Sequence, residues 1–260
     1  MSTGTFTPNP GAAPVSRMIM AQTALETRML LRNGEQLLLT VIIPALLLVL
    51  FSAVDIITVP VGEDGSGKSV DFLAPGILAL AVMSTAFTGQ AIATGFDRRY
   101  GILKRLGASP LPRWALMAAK TLSVLVTEVL QIALLTVIAL SLGWSPHGNP
   151  LSVAALILLG TAAFSGLGLL MAGTLRAEAT LAAANLVFLL LLVGGGVIVP
   201  MEKFPGAVQS VLGLLPISAL SDGLREVLQH GAALPWGDAA ILAGWAVLGL
   251  GAAGRYFRWE

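Results

Sequence analysis

Long apolar runs constrain this chain more than any other feature. Gln36–Val54, Phe72–Phe96, Leu151–Leu175 and Ala179–Met201 carry no charged residue, and Thr121–Gly143 carries only Glu128. A sixth run, Ala239–Gly254, is shorter, but Trp236 on one side and Tyr256 to Trp259 on the other extend it with interfacial anchors. Crossing the hydrocarbon core takes about 20 helical residues at about 1.5 Å each. The runs therefore predict six membrane spans, at about 36–54, 72–96, 114–143, 151–175, 179–201 and 236–256. Composition agrees. The 260 residues are 56% hydrophobic and 11% charged, where a soluble domain holds roughly 25% charged residues. A soluble globule of this size has no interior large enough for so much apolar surface, and disordered chains are poor in such residues. Zero cysteines exclude disulfides and thiolate chemistry. Two histidines, His147 and His230, leave little for a metal cluster, and no metal or catalytic residue is expected.

The loops predict the orientation. Arg17, Arg28 and Arg32 precede the first span, and Arg98, Arg99, Lys104, Arg105, Arg113 and Lys120 flank the loop between spans two and three. Arg176 follows the fourth span, and Arg255 and Arg258 close the sixth. Only Lys68, Lys203 and Arg225 fall on the other side, which also holds Asp55, Glu63, Asp64 and Asp71. Basic residues collect in the cytoplasm, so both termini are expected there. Residues 1–14 read as a disordered cytoplasmic tail, without the charged and apolar regions of a signal peptide. Residues 15–260 read as one transmembrane domain. Val15–Glu35 predicts a helix along the inner interface, with Val15, Met18, Ile19, Leu25 and Met29 on one side and Arg17, Arg28 and Glu35 opposite. Glu26 falls on the apolar side and spoils the pattern.

One motif misleads. Gly62-Glu-Asp-Gly-Ser-Gly-Lys-Ser69 fits the G-x-x-x-x-G-K-[ST] phosphate-binding pattern. That pattern needs a strand before it and a soluble helix after it. Here Pro60 interrupts what precedes, and Ser69–Pro75 leads into a span. The loop also falls on the non-cytoplasmic side, so it reads as a flexible external loop.

The loop Phe96-Asp-Arg-Arg-Tyr-Gly-Ile-Leu-Lys-Arg-Leu-Gly-Ala-Ser-Pro-Leu-Pro-Arg-Trp114 is the most informative. Ile102, Leu103 and Leu106 are spaced for one face of a short helix. Asp97 is placed to cap it and Gly107 to end it, and Pro110 and Pro112 make a stiff turn into span three. Such a helix suits a mechanical contact, although an ordinary positive-inside loop has the same composition. The chain here resembles the membrane subunits of ABC-2 type transporters, in the branch of the daunorubicin-resistance permeases. Asp97-Arg98, Gly101, Leu103-Lys-Arg-Leu106 and Ala108-Ser-Pro110 fit the family's loop pattern. Pro200-Met-Glu-Lys-Phe-Pro205, Leu214-Leu-Pro216 and Asp222-Gly-Leu-Arg225 resemble its external helical hairpin between spans five and six.

The resemblance implies an all-α integral membrane protein: six spans, an N-terminal interfacial helix, a cytoplasmic coupling helix after span two and the external hairpin. It implies a non-catalytic permease without a cofactor of its own. ATP and Mg would sit on a separate cytoplasmic ATP-binding subunit, and a second permease copy or a homologous permease would complete an exporter of amphiphilic drugs, lipids or other hydrophobic compounds. The coupling residues would be Asp97, Arg98, Arg99, Gly101, Leu103, Lys104 and Arg105. In the family, spans two and five line the central cavity. On that basis Thr88, Asn185, Phe188 and Leu192 are expected to face substrate, with Thr85 offering a further polar group. Ala81, Thr85, Gly89 and Ala93 also form a small-residue stripe suited to helix packing, and Asn185 equally suits a helix–helix hydrogen bond. Glu128, the one charge well inside a span, must face protein or water. Gln131 is near enough along the helix to partner it. A secondary transporter or channel is the rival reading. It predicts more intramembrane charge or related halves, and neither is visible.

Overall fold

The structure is a computed structural model that describes residues 13–34, 38–53, 69–197 and 205–258. Among these every regular element is helical: α1 (Val15–Arg32), α2 (Ile43–Ala53, entered through a π-helical turn, Leu38–Ile42), α3 (Ser69–Arg99), α4 (Ile102–Gly107), α5 (Arg113–Ser141), α6 (Pro150–Thr174), α7 (Ala177–Gly194), α8 (Gly206–Leu212), α9 (Pro216–His230) and α10 (Trp236–Tyr256). Five of them, α3, α5, α6, α7 and α10, are long and apolar enough to cross a membrane. The first expected span appears as the apolar stretch Thr40–Ser52, roughly 20 Å long at 1.5 Å per residue. Its flanks, 35–37 and 54–68, lie outside the described residues, as do the phosphate-loop-like residues 62–68, hairpin residues 200–204 and residues 1–12 of the expected tail. The protein is a multi-pass membrane protein.

α3 is the axis. Of its most apolar window 89% is buried, against 22% for α7 and 28% for α10. α2, α5, α6, α7 and α9 all pack on it. Midway, Ser84–Gly89 widens into a π-helical segment, which rotates the side chains beyond it relative to those before it. Pro75 lies inside α3 and has no N–H for the carbonyl four residues back. Gln229 of α9 donates from Nε2 to that carbonyl, Asp71 O, at 2.6 Å. In lipid every backbone polar group must be satisfied within the protein, so the external helix completes the span that its proline interrupts.

α6 and α10 pack closest. A Cβ built at Gly166 would stand 2.5 Å from Leu250 N and 2.7 Å from Gly249 C. Backbone therefore meets backbone, as small residues allow in membranes. α6 also touches the π segment, with a Cβ at Gly168 falling 2.9 Å from Phe87 O. Asn149 caps α6, its Oδ1 accepting from Leu151 N at 2.9 Å.

The external hairpin has the expected two helices, and Pro216 is the first residue of α9. Proline suits the first turn, whose N–H groups lack intrahelical partners. Arg225 of α9 pairs with Asp222 one turn back at 3.0 Å. It also donates to Gly196 O at 2.8 Å and Val197 O at 2.9 Å, beyond the end of α7, and its guanidinium lies 4.0 Å from the centroid of the Phe72 ring. These contacts fasten the hairpin over the ends of α3 and α7. His230, the last residue of α9, is exposed.

Gly166→Ala is expected to destabilise by about 1–3 kcal/mol, because a methyl facing backbone forces two helices apart. Gly251→Ala, where no atom lies within 4 Å, is expected to be neutral. Thermal melting of the two purified variants in detergent checks both.

Candidate substrate cavity and coupling site

At the end of the bundle that holds Arg98, Arg99, Arg176 and Arg258, three helices meet through charge. Lys120 of α5 is buried, and its Nζ lies 2.7 Å from Asp97 Oδ2 of α3 and 3.0 Å from Glu26 Oε1 of α1. Gln22 donates to Glu26 Oε1 at 2.9 Å, and Thr23 Oγ1 reaches Ala119 O at 3.4 Å. α1 packs on α5 through a polar face: Gln22 and Thr23 are buried, while Val15, Leu25 and Met29 of the expected apolar side are exposed. Glu26 shares the face of Gln22 and Thr23, one turn on, and there meets an ammonium.

The loop pattern divides. Asp97 does not cap the loop helix. It belongs to the last turn of α3, and its carboxylate turns inward to Lys120, a stronger attraction than a cap. Gly101 precedes α4 instead, with φ +71°, a left-handed conformation glycine adopts without strain. Gly107 closes α4 as expected. Leu103 is buried, while Lys104 and Arg105 are exposed. Arg98 donates to Leu175 O, and Arg99 pairs with Glu178. Both arginines therefore hold the base of the loop to the α6–α7 turn. Phe96 and Tyr100 stack with centroids 6.0 Å apart, and Pro112 in extended conformation leads into α5.

Beside this triad opens a cavity of about 1050 Å³ between α1, α2, α3 and α7. Thr88, Asn185, Phe188 and Leu192 all line it. Thr85 does not. Its hydroxyl donates to Gln131 Oε1 of α5 at 2.8 Å, while Gln131 Nε2 donates to Thr40 O. The small-residue stripe of α3 thus divides: Thr85 turns to α5, and Gly89 and Ala93 face the cavity. Asn185 donates from Nδ2 to Leu181 O on its own helix at 2.9 Å rather than across to another helix.

Glu128 takes a partner other than Gln131. Thr161 of α6 donates to Glu128 Oε2 at 2.5 Å. A residue one turn away competes poorly with a hydroxyl presented by a facing helix, and Gln131 is spent on Thr85 and Thr40. The walls supplied by α1 and α2, including Glu26, Asn33, Pro44 and Leu47, were not anticipated. The misplaced charge of Glu26 was the one signal in the sequence that pointed to them.

The helical bundle, the loop helix hung between α3 and α5 and the external hairpin agree with a family match over residues 18–228 to the ABC-2 type transporter. The chain belongs to the ABC-2 type transporter family. It is similar to YvfS of Bacillus subtilis (strain 168), named as a transport permease, with 26% identity over 89% of this chain and 93% of that one. It also resembles the linearmycin resistance permease protein LnrN of the same organism, with 30% identity over 61% of this chain and 41% of that protein. This chain is accordingly a membrane subunit of a transporter.

In this permease the Lys120 triad carries a definite cost if broken. Lys120→Met leaves two partly buried carboxylates without their cation, a loss that for a fully buried pair costs about 3–5 kcal/mol and here somewhat less because both carboxylates reach the cavity. The expected readout is a sharply lower melting temperature in detergent. Adding Glu26→Gln and Asp97→Asn to Lys120→Met is expected to recover much of the loss, since the repelling charges then leave with their partner.

Proposed function

We propose that this chain is the permease of an ATP-driven exporter in the plasma membrane of a bacterium, with both termini in the cytoplasm. It moves an amphiphilic drug, lipid or other hydrophobic compound outward. ATP and Mg are held by a separate ATP-binding subunit that docks on α4, and this chain performs no chemistry of its own. A second permease copy, or a homologous permease, covers the apolar face that α7 leaves open. The resistance function for which LnrN is named lends support to efflux and antibiotic or multidrug resistance.

The observation that carries the reading is the continuity of α3. Thr88, Ile92, Phe96 and Asp97 line the cavity, and only Tyr100 and Gly101 separate the end of the same helix from α4. A push on α4 therefore reaches the cavity wall through one rigid element. Arg98 and Arg99 tie the loop base to the α6–α7 turn, so the push also reaches α7, whose Asn185, Phe188 and Leu192 form the facing wall. Exposed Lys104 and Arg105 supply the charged contact for the ATP-binding subunit.

Reconstitution of the permease with its copurifying ATP-binding subunit tests this. Arg105→Glu and Gly101→Pro are expected to abolish transport and substrate-stimulated ATP hydrolysis while membrane insertion stays normal. Proline fixes φ near −65°, which the +71° of Gly101 does not permit. Wild-type turnover in both variants would refute the coupling role.

Glu128 favours a second reading, transport driven by protons without ATP. It is buried in α5, and its Oε1 has no hydrogen-bond partner among the described residues. Glu128→Gln separates the two. The amide keeps an acceptor for Thr161, so the ATP-driven reading expects transport to be retained. Loss of transport in a normally folded Glu128→Gln protein would favour proton coupling.

A further inference from the structure

We propose that the cavity ends in a cation subsite formed by Asp97 and Glu26, and that the compounds it takes are amphiphiles carrying a protonated amine, a guanidinium or another positive group. This rests on reading the cavity as the transport path, and it names the charge of what travels there. Among the described lining residues two are carboxylates, and none is Lys, Arg or His. Lys120 neutralises only one of the two negative charges, so the three groups together carry a formal −1. Their exposure decides which of them meets a ligand. The Asp97 and Glu26 side chains are 17% and 13% exposed, and Lys120 only 5%. The ammonium thus sits behind the carboxylates, which form the wall.

Asp97 gives Lys120 one oxygen, Oδ2. Its Oδ1 has no partner among the described residues and is free to accept from a ligand N–H. The stacked Phe96 and Tyr100 also line this end, and aromatic faces attract cations more strongly where water is scarce. Away from the carboxylates the walls are Ile43, Leu47, Leu80, Ile92, Phe188 and Leu192, a surface for an apolar body. The volume exceeds what a drug-sized molecule needs. A surplus negative charge on a partly desolvated wall carries a cost, and no described lining residue is a cation that offsets it. A ligand cation offsets that cost, a neutral ligand leaves it in place, and an anion adds to it.

The test is binding of labelled tetraphenylphosphonium and of its near-isosteric anion tetraphenylborate to the purified permease in zwitterionic nanodiscs, with binding to empty nanodiscs subtracted. Wild type is expected to hold the cation at least about tenfold more tightly than the anion, since the two probes differ in little but charge and attraction for one against repulsion of the other at ion-pair range is worth about that factor or more. Asp97→Asn and Glu26→Gln, each of which brings the triad to zero net charge, are expected to weaken cation binding by about the same factor and to erase the preference. Asp97→Glu is expected to restore it. Two variants on different helices keep the test decisive if one fails to fold. Equal binding of the two ions, or cation binding unchanged in both neutralised variants, would overturn the subsite. No ATP enters the measurement. Charge-selective binding together with a reconstituted complex that tetraphenylphosphonium does not stimulate would keep the subsite and sink the exporter reading.

Discussion

An ammonium buried among apolar helices must be neutralised where it stands, and much of this structure follows from how Lys120 is neutralised. Its partners come from two other helices, Glu26 of α1 and Asp97 of α3. α1 is thereby held to the bundle through a polar face, with Gln22 and Thr23 buried beside Glu26, and the end of α3 is held to the start of α5. Removing charges from water costs several kcal/mol each. Contacts of such directionality specify which helices meet and in what register. The apolar surfaces around them, which would slide on one another, specify neither.

Position along α3 then separates three tasks. Near its start Pro75 frees a carbonyl, and α9 supplies the missing donor. In its middle the π segment turns Thr85 toward α5 and Thr88 toward the cavity, although the two residues are only three apart. At its end Asp97 belongs both to the ion triad and to the cavity wall. One buried helix therefore connects the external hairpin, the cavity and the loop helix. A helix buried on all sides has no room to tilt by itself, so movement at α4 must be shared with the helices that Lys120, Arg98 and Arg99 tie to it.

The spans were legible because their signal is long and one-dimensional. Trp236–Tyr256 ends where the aromatic anchors predicted, and the loop helix lies where Ile102, Leu103 and Leu106 placed it. What escaped was the choice among partners. Asp97 had the spacing of a helix cap, and Gln131 had the spacing to serve Glu128. In both cases a group on a facing helix prevailed: Lys120 for Asp97, Thr161 for Glu128. Sequence separation gives neighbours along one helix, whereas partners across helices depend on rotation about each axis, which apolar runs leave nearly undetermined. The uniform hydrophobicity that made the spans easy to find is the reason their facing sides were hard to assign. Thr85 shows this most plainly. It and Thr88 looked equivalent in the sequence, and the π segment separates them.

The exception is instructive. Glu26 was legible as a misfit, a charge on the apolar side of an otherwise amphipathic α1. A misfit of that kind carries rotational information because a charge tolerates few neighbours, and a single acceptable one fixes the face. Glu26 takes a hydrogen bond from Gln22 on its own helix but its counter-charge from another, and in this chain the basic residue nearest the start of an apolar run is Lys120. Polar residues that violate a membrane helix's pattern therefore locate contacts between helices better than the residues that obey it. Asp97, Glu26 and Lys120, three charges in a chain with few of them, fix more of the tertiary arrangement at this end of the bundle than the leucines around them.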